Sequence, residues 1–121
     1  MELINKTFYE GYEGETEIRF TRETETLPEV LVIWEGFFDQ IMRAIKPGKN
    51  GWTGLAYHYN MYSGWYAKDM WAIDDLDLAL RQLQSVDVSG LYQECPEVLQ
   101  LVCKMLKDAM AAHQKVYISR E

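Results

Sequence analysis

The segment 27–45 carries the longest apolar pattern in the chain and constrains the fold more than any other stretch. Its apolar residues recur at spacings of three and four, which is typical of an amphipathic helix. Thr26 is a candidate N-cap residue, and Pro28 suits a first helical turn. Residues 30–34 (VLVIW) are apolar on every side, which indicates deep burial. We predict a helix over 27–45 that ends before the breaker-rich segment 46–51.

Two strands are predicted before this helix, over 3–10 and 15–21. In the second strand Ile18 and Phe20 alternate with charged residues, which indicates one buried and one wet face. Two glycines lie between the strands, where a tight turn needs positive φ. We therefore predict an antiparallel hairpin at the N-terminal end of the chain.

The stretch 52–73 is the part of the chain densest in aromatic rings. Its alternating pattern predicts a strand near 54–61, a turn at 62–64 and a second strand near 65–73. Tyrosine and tryptophan pack their rings and keep a polar group, so they suit both half-buried sheets and recognition surfaces. The seven rings are those of Trp52, Tyr57, Tyr59, Tyr62, Trp65, Tyr66 and Trp71.

Two further helices are predicted in the last third of the chain. The first spans 75–86 with Asp74 as its N-cap, because an acid before an apolar pattern favours a helix start. A loop over 87–95 leads to the second helix, over 96–115. The tail 116–118 fits either a short strand or frayed chain, and the pattern does not choose between them.

These elements predict one α+β domain over residues 1–121. We expect a small antiparallel sheet of about four strands, in two hairpins, packed against three helices in the order ββαββαα. Hydrophobic residues make up 48% of the 121 residues, which is enough for a core.

The excess negative charge lies in the first third of the chain. The net charge is −7, and residues 1–40 contain ten acids against three bases, while the rest is balanced. Nucleic acids and anionic lipids both attract basic surfaces, so this distribution predicts neither a nucleic-acid partner nor a membrane partner. It permits a basic protein partner, and it fits equally a set of solvated glutamates.

The cysteines and the apolar runs bear on the compartment. Cys95 and Cys103 are eight residues apart on or beside a predicted helix, which is too far for a disulfide. The first residues do not form a secretory signal, and no apolar run approaches the length of a transmembrane helix. Free thiols without a signal predict a cytoplasmic protein.

The sequence contains no motif of metal or nucleophilic chemistry. His58 and His113 are the only histidines, they lie in different elements, and neither CxxC nor HExxH is present. No serine has the context of a nucleophile elbow. We therefore expect no metal, no cofactor and no enzymatic activity.

One constellation nevertheless has the composition of a small-ligand site. If the residues named below face one pocket, rings with an imidazole and a carboxylate would suit binding or general acid–base chemistry. Ordinary cross-strand packing of the same rings explains the pattern as well and is the more frequent outcome. The constellation comprises Tyr57, His58, Tyr59, Asp69 and Trp71.

Aromatic residues at the predicted turns and the acidic first third together resemble the composition of a protein interface. Exposed rings supply anchors, and charge steers the encounter. Turn aromatics that fold back over the sheet edge are the alternative. The candidate partner-binding residues are Glu10, Glu13, Glu15, Glu17, Glu23, Glu25, Trp52, Tyr62, Trp65 and Tyr66.

The order of these segments resembles a known class of protein. A helix candidate, WEGFFDQIMRAI, is followed by an aromatic strand pair and then by WAIDDLDLALRQL, which leads from strand to helix. This layout, over roughly residues 27–86, is similar to that of bacterial immunity proteins against polymorphic toxins, including those of contact-dependent growth inhibition. The resemblance implies a stoichiometric inhibitor that binds a cognate toxin domain, often a basic nuclease, and blocks its active site.

Two other functions stay open at this point. One is a small-molecule-binding domain or enzyme that uses an aromatic pocket around His58. The other is an acidic mimic of nucleic acid, which would need carboxylates spaced like phosphates along one face. The sequence does not determine the oligomeric state.

Overall fold

The computed structural model describes residues 2–49, 51–61 and 70–121. Over these residues the chain has an α+β fold, with a mixed sheet of five strands and four helices. None of the described helices has the length and apolar character needed to cross a membrane. The elements are β1 (Leu3–Phe8), β2 (Glu17–Arg22), β3 (Glu29–Trp34), α1 (Glu35–Arg43), α2 (Gly54–Asn60), β4 (Trp71–Ala72), α3 (Leu76–Gln84), α4 (Cys95–Ala111) and β5 (Val116–Arg120).

The sheet has the strand order β1-β3-β2-β5-β4. β3 pairs parallel with β1 and antiparallel with β2, and β5 pairs antiparallel with β2 and β4. The two predicted N-terminal strands therefore exist but are not neighbours, and the prediction of a hairpin between them is wrong. The apolar β3 lies between them and pairs with both.

The predicted helix over 27–45 is wrong in its first half. Residues 29–34 form β3, and the helix α1 begins only at Glu35. Leu31 and Ile33 face the helices in the main core, while Val30 and Val32 are buried on the opposite face of the sheet. A short run of apolar and β-branched residues suits a central strand, because both faces of such a strand are covered. Deep burial was predicted correctly for residues 30–33, whereas Trp34 is only partly buried, and the predicted type of element was wrong.

The predicted strand over 54–61 is also wrong, because these residues form the helix α2. Leu55 and Ala56 are buried, whereas Tyr57 and Met61 are exposed, which is a helical distribution. The Gln82 side-chain oxygen accepts hydrogen bonds from the Leu55 and Ala56 amides at 3.1 and 3.3 Å. The predicted turn at 62–64 and most of the predicted strand over 65–73 lie outside the described residues.

The C-terminal predictions agree better with the structure. The helices predicted over 75–86 and 96–115 are confirmed as α3 and α4. The N-cap of α3 is Asp75 and not Asp74, because the Asp75 carboxylate accepts a hydrogen bond from the Leu78 amide at 3.0 Å. The tail forms β5, which lies inside the sheet between β2 and β4.

The main core lies between one face of the sheet and the helices. Phe20 and Ile118 from the sheet pack with Phe37 and Phe38 of α1 and Leu106 of α4 in one buried cluster. On the other face, Arg19 stands opposite Val32 and forms ion pairs of 2.7 Å with both Glu17 and Glu121. This second face is therefore a polar surface with buried valines between its charged groups.

Candidate protein-binding surface

Residues 9–16 connect β1 to β2 and form a compact loop, which we call the acidic loop. The Tyr9 hydroxyl donates to the Glu15 carbonyl at 2.5 Å, and the Tyr12 amide donates to the Tyr9 carbonyl at 3.0 Å. The Glu15 amide in turn donates to the Tyr12 carbonyl at 3.0 Å. Gly11 and Gly14 have φ of 92° and 94°, which only glycine adopts without strain. These bonds hold the loop in one conformation.

The acidic loop presents three carboxylates. Glu10, Glu13 and Glu15 are all exposed. The Glu13 carboxylate accepts from the Gly11 amide at 3.0 and 3.2 Å, and the backbone hydrogen bonds of Glu13 and Gly11 lower the pKa of Glu13. Glu13 therefore stays ionised at neutral pH while it fixes the loop. The charges of Glu10, Glu13 and Glu15 therefore lie at the same end of the sheet.

An aromatic cluster, made of Tyr12, Trp34, Phe37 and Tyr92, lies beside the acidic loop. Tyr12 stacks on Trp34 with ring centroids 4.2 Å apart and an interplanar angle of 8°. Trp34 lies 5.8 Å from Tyr92, and Phe37 contacts all three other rings from the core side. Tyr92 is 46% exposed, and its amide donates to the Gln40 side chain at 2.6 Å. The cluster thus runs from the core to an exposed tyrosine.

Gly36 allows the Trp34 ring to reach this position. A Cβ atom at residue 36 would lie 2.4 Å from the Trp34 ring, which is well inside van der Waals contact. Trp34 ends β3 and Gly36 is the second residue of α1, so the ring folds over the first turn of the helix. The glycine, the tryptophan and the loop tyrosine therefore form one packed unit.

The other three predicted glutamates do not belong to the acidic loop. Glu17 is ion-paired with Arg19, and Glu23 accepts a hydrogen bond of 2.7 Å from the Tyr117 hydroxyl. Glu25 is exposed in the segment between β2 and β3. β2 spans six residues, about 20 Å, and it separates Glu23 and Glu25 from the acidic loop. The six glutamates therefore form two groups at opposite ends of β2.

Among the aromatic residues predicted to bind a partner, Trp52 alone lies in the described part of the chain. Trp52 is partly buried and packs against the core. Tyr62, Trp65 and Tyr66 lie outside the described residues. Sequence reasoning missed Trp34 and Tyr92, and the available signals were Tyr12 between two glycines and a glycine two residues after Trp34.

A second feature is a cleft beside α2, with a volume of about 320 Å³, lined by Tyr57, His58, Trp71, Asp74 and Leu78 among others. The His58 ring lies 4.5 Å from Trp71, and its Nε2 is 3.7 Å from Asp74 Oδ2. Three of the five residues of the sequence-predicted constellation therefore meet here.

The other two residues of that constellation are not part of this cleft as described. Tyr59 points elsewhere, because its hydroxyl donates to Asp39 Oδ1 at 3.0 Å. Burial is the main cause that raises the pKa of both Tyr59 and Asp39. Asp69 lies outside the described residues, and the carboxylate near His58 is that of Asp74.

The described residues offer little for metal or thiol chemistry. Across 2–49, 51–61 and 70–121, no group of three or more histidine, cysteine, aspartate or glutamate side chains could hold a metal ion. Cys95 and Cys103 are free and buried. Burial raises the pKa of both thiols, so the reactive thiolate is disfavoured.

Comparisons with protein-family models, with curated proteins and with solved structures find no match to this chain.

Proposed function

We propose that this protein is a stoichiometric inhibitor that binds and neutralises a basic bacterial toxin domain, as an immunity protein does. One observation carries the proposal. The rigid acidic loop stacks Tyr12 on Trp34 next to the exposed Tyr92, so that carboxylates and aromatic anchors share one surface. Tyrosine and tryptophan are the residues most often found as binding hot spots.

The physical properties of this surface suit a tight protein inhibitor. The hydrogen bonds within the acidic loop fix its conformation before binding, so little conformational entropy is lost on association. Its carboxylates attract a basic partner and raise the association rate. Such an inhibitor acts in the cytoplasm of the cell it protects and needs neither cofactor nor catalysis.

The proposed surface keeps part of the set predicted from the sequence. Glu10, Glu13 and Glu15 belong to it, and Tyr12, Trp34 and Tyr92 provide its anchors in place of the turn aromatics. Glu17, Glu23 and Glu25 lie outside it for the reasons given above. Trp52, Tyr62, Trp65 and Tyr66 stay predictions as partner-binding residues.

A growth-rescue assay tests the proposal. The C-terminal domain encoded by the reading frame immediately upstream is expressed in a bacterial host with and without this protein. We expect growth arrest with the domain alone and normal growth with both. Tyr92→Ala should weaken binding of the purified domain by at least about tenfold, because it removes a central aromatic anchor.

Tyr57→Ala is the matched control, because Tyr57 is 42% exposed but lies in the cleft beside α2. It should leave both rescue and affinity unchanged. Failure of the wild-type protein to restore growth would contradict the proposed function. Equal loss in the two variants would contradict the proposed surface.

The cleft beside α2 supports a second candidate function, the binding of a small molecule. Its rings and the Asp74 carboxylate surround a volume at the lower end of the range for ligand sites. Titration of the protein with a fragment library, followed by NMR, tests this function. Chemical-shift changes confined to the His58 and Trp71 signals would support small-molecule binding, provided that Trp71→Ala abolishes the change at His58. If no fragment changes these signals, the cleft does not bind small molecules of this kind.

Mimicry of nucleic acid gains no support from the placement of the acids. That function needs a row of carboxylates along one face. The six glutamates predicted to bind a partner instead lie toward the two ends of β2, and Glu17 is ion-paired with Arg19.

A further inference from the structure

β1 is the edge strand with the most exposed apolar surface. It is hydrogen-bonded to β3 on one side and is the outermost strand of the described sheet on the other. Leu3 and Ile4 are 57% and 45% exposed, whereas the opposite edge strand, β4, has only two residues. An edge that presents free backbone groups and apolar side chains is a template for another strand.

The pairing with β3 determines which backbone groups of β1 point outward. The Leu3 amide donates to the Pro28 carbonyl at 2.9 Å, and the strands are parallel. In a parallel pair, alternate residues bond to the neighbour, so the amide and carbonyl groups of Glu2 and Ile4 point away from β3. The Lys6 carbonyl accepts from the amides of the following turn, at 2.9 and 3.1 Å. The usable edge therefore runs from Glu2 to the Lys6 amide, because the Lys6 carbonyl is already occupied.

We propose that β1 joins two copies of this chain, as antiparallel strands with Ile4 opposite Ile4 and Glu2 opposite Lys6 of the other copy. A two-fold axis normal to the sheet makes the strands antiparallel, and outward-facing residues must then oppose each other. Shifting the register by two residues in either direction puts Ile4 opposite Glu2 or opposite Lys6. Of these three registers, only the one that pairs Ile4 with Ile4 gives an outward-facing apolar pair flanked by two opposite-charge pairs.

The side chains on the other face of β1 complement the same register. Leu3 of the second copy comes opposite Asn5, on the face that looks toward α4. A groove of about 320 Å³ lies there, between the edge and the helix, lined by Leu3, Asn5, Leu31, Leu101 and Met105 among others. The incoming leucine fills this groove. The two five-stranded sheets become one continuous sheet, and the acidic loop and aromatic cluster lie outside the contact.

Sedimentation equilibrium of the chain, without any partner, from micromolar to sub-millimolar concentration tests the proposal. We expect a concentration-dependent dimer. Lys6→Glu places a second carboxylate opposite Glu2 at both ends of the contact and should raise the dimer Kd by about tenfold, because two attractive cross-strand charge pairs become repulsive. The double variant Glu2→Lys with Lys6→Glu restores opposite charges and should return the Kd to within about threefold of wild type.

Lys49→Glu is the matched control, because it makes the same charge change at an exposed lysine after α1. It should leave the dimer intact. Hydrogen exchange adds a second readout, since the Ile4 amide should be protected in the dimer and exchange rapidly in Lys6→Glu. Circular dichroism verifies that each variant is folded.

A wild-type chain that stays monomeric at every concentration would overturn the proposal, and so would a charge swap that fails to restore the dimer. Protection of the Ile4 amide only after addition of the toxin domain would overturn it too and assign the edge to that partner. These outcomes do not depend on growth rescue, so the dimer and the proposed function fail separately.

Discussion

At the scale of single residues, the position of the Trp34 ring depends on the lack of a side chain at Gly36. Its ring lies over Gly36, against Tyr12 and Phe37, in space that any other residue at position 36 would occupy. A glycine in a helix is normally a cost relative to alanine. Here it allows the packing that connects the acidic loop to the core.

Gly36→Ala should therefore destabilise the fold by about 1–3 kcal/mol, because the added methyl group displaces a packed indole. Urea unfolding measures the change. Gly48→Ala is the control, since its added Cβ would meet its nearest atom at an ordinary 3.7 Å. A stabilised Gly36→Ala variant, as helix propensity alone would give, would contradict the packing described.

Asp39 provides a test of pH dependence. Burial raises its pKa, although the Tyr59 hydroxyl opposes this by donating a hydrogen bond to the carboxylate. Between the ordinary aspartate pKa of about 3.9 and the raised value, the folded state binds more protons than the unfolded state, so this residue makes stability fall as pH rises.

Asp39→Asn removes that titration but keeps an oxygen that accepts from Tyr59. The stability of the variant relative to wild type should therefore rise as pH increases through the pKa of Asp39 and then level off. Chemical unfolding measured from pH 3 to pH 7 gives this difference. A difference that is constant with pH would show that the Asp39 pKa is not raised.

At the scale of elements, the errors in the predicted fold have one cause. Residues 30–34 are apolar on all sides, and such a run suits a buried helix as well as a central strand. Residues 54–60 have an alternating sequence pattern, yet the two buried residues, Leu55 and Ala56, are adjacent in the chain. In each case the tertiary neighbours decide which element forms. β1 and β2 pair with the two edges of β3, and Gln82 of α3 accepts a hydrogen bond from the first turn of α2. α3 and α4 were predictable because their polar faces and first turns are encoded locally.

The start of α3 distinguishes two adjacent acids. Asp75→Ala should cost about 1 kcal/mol of stability, because its carboxylate caps the Leu78 amide. Asp74→Ala should have little effect, since the Asp74 side chain is 83% exposed and forms no cap. Thermal or urea unfolding of both variants checks this, and a larger loss for Asp74→Ala would contradict the assigned cap.

At the scale of the whole molecule, the fold redistributes the charge of the first third. Arg19 and Arg120 pair with Glu17 and Glu35, so part of the acidic excess is neutralised internally. The acidic loop retains its carboxylates at one end of the sheet, and Glu23 and Glu25 stand at the other end. The exposed negative charge of the first third is therefore concentrated toward these two ends of the sheet.

Glu15→Lys should slow association with the toxin domain by roughly three- to tenfold at low salt, because it reverses a charge in the proposed surface. Glu25→Lys makes the same change at the other end of β2 and should have a smaller effect. Stopped-flow or surface plasmon resonance measures the association rate, and added salt should reduce the difference. Equal effects of the two reversals would mean that steering arises from net charge alone.

The sequence alone determined the α+β class, the positions of α3 and α4, the burial of residues 30–33 and the acidity of the first third, since periodicity, caps and charge are local properties. Tertiary structure decided that residues 29–34 form a strand, that β3 separates β1 from β2, and that Tyr12, Trp34 and Tyr92 meet. These features depend on pairing and packing between residues far apart in the chain. A local sequence pattern does not specify which distant segments will contact an apolar segment.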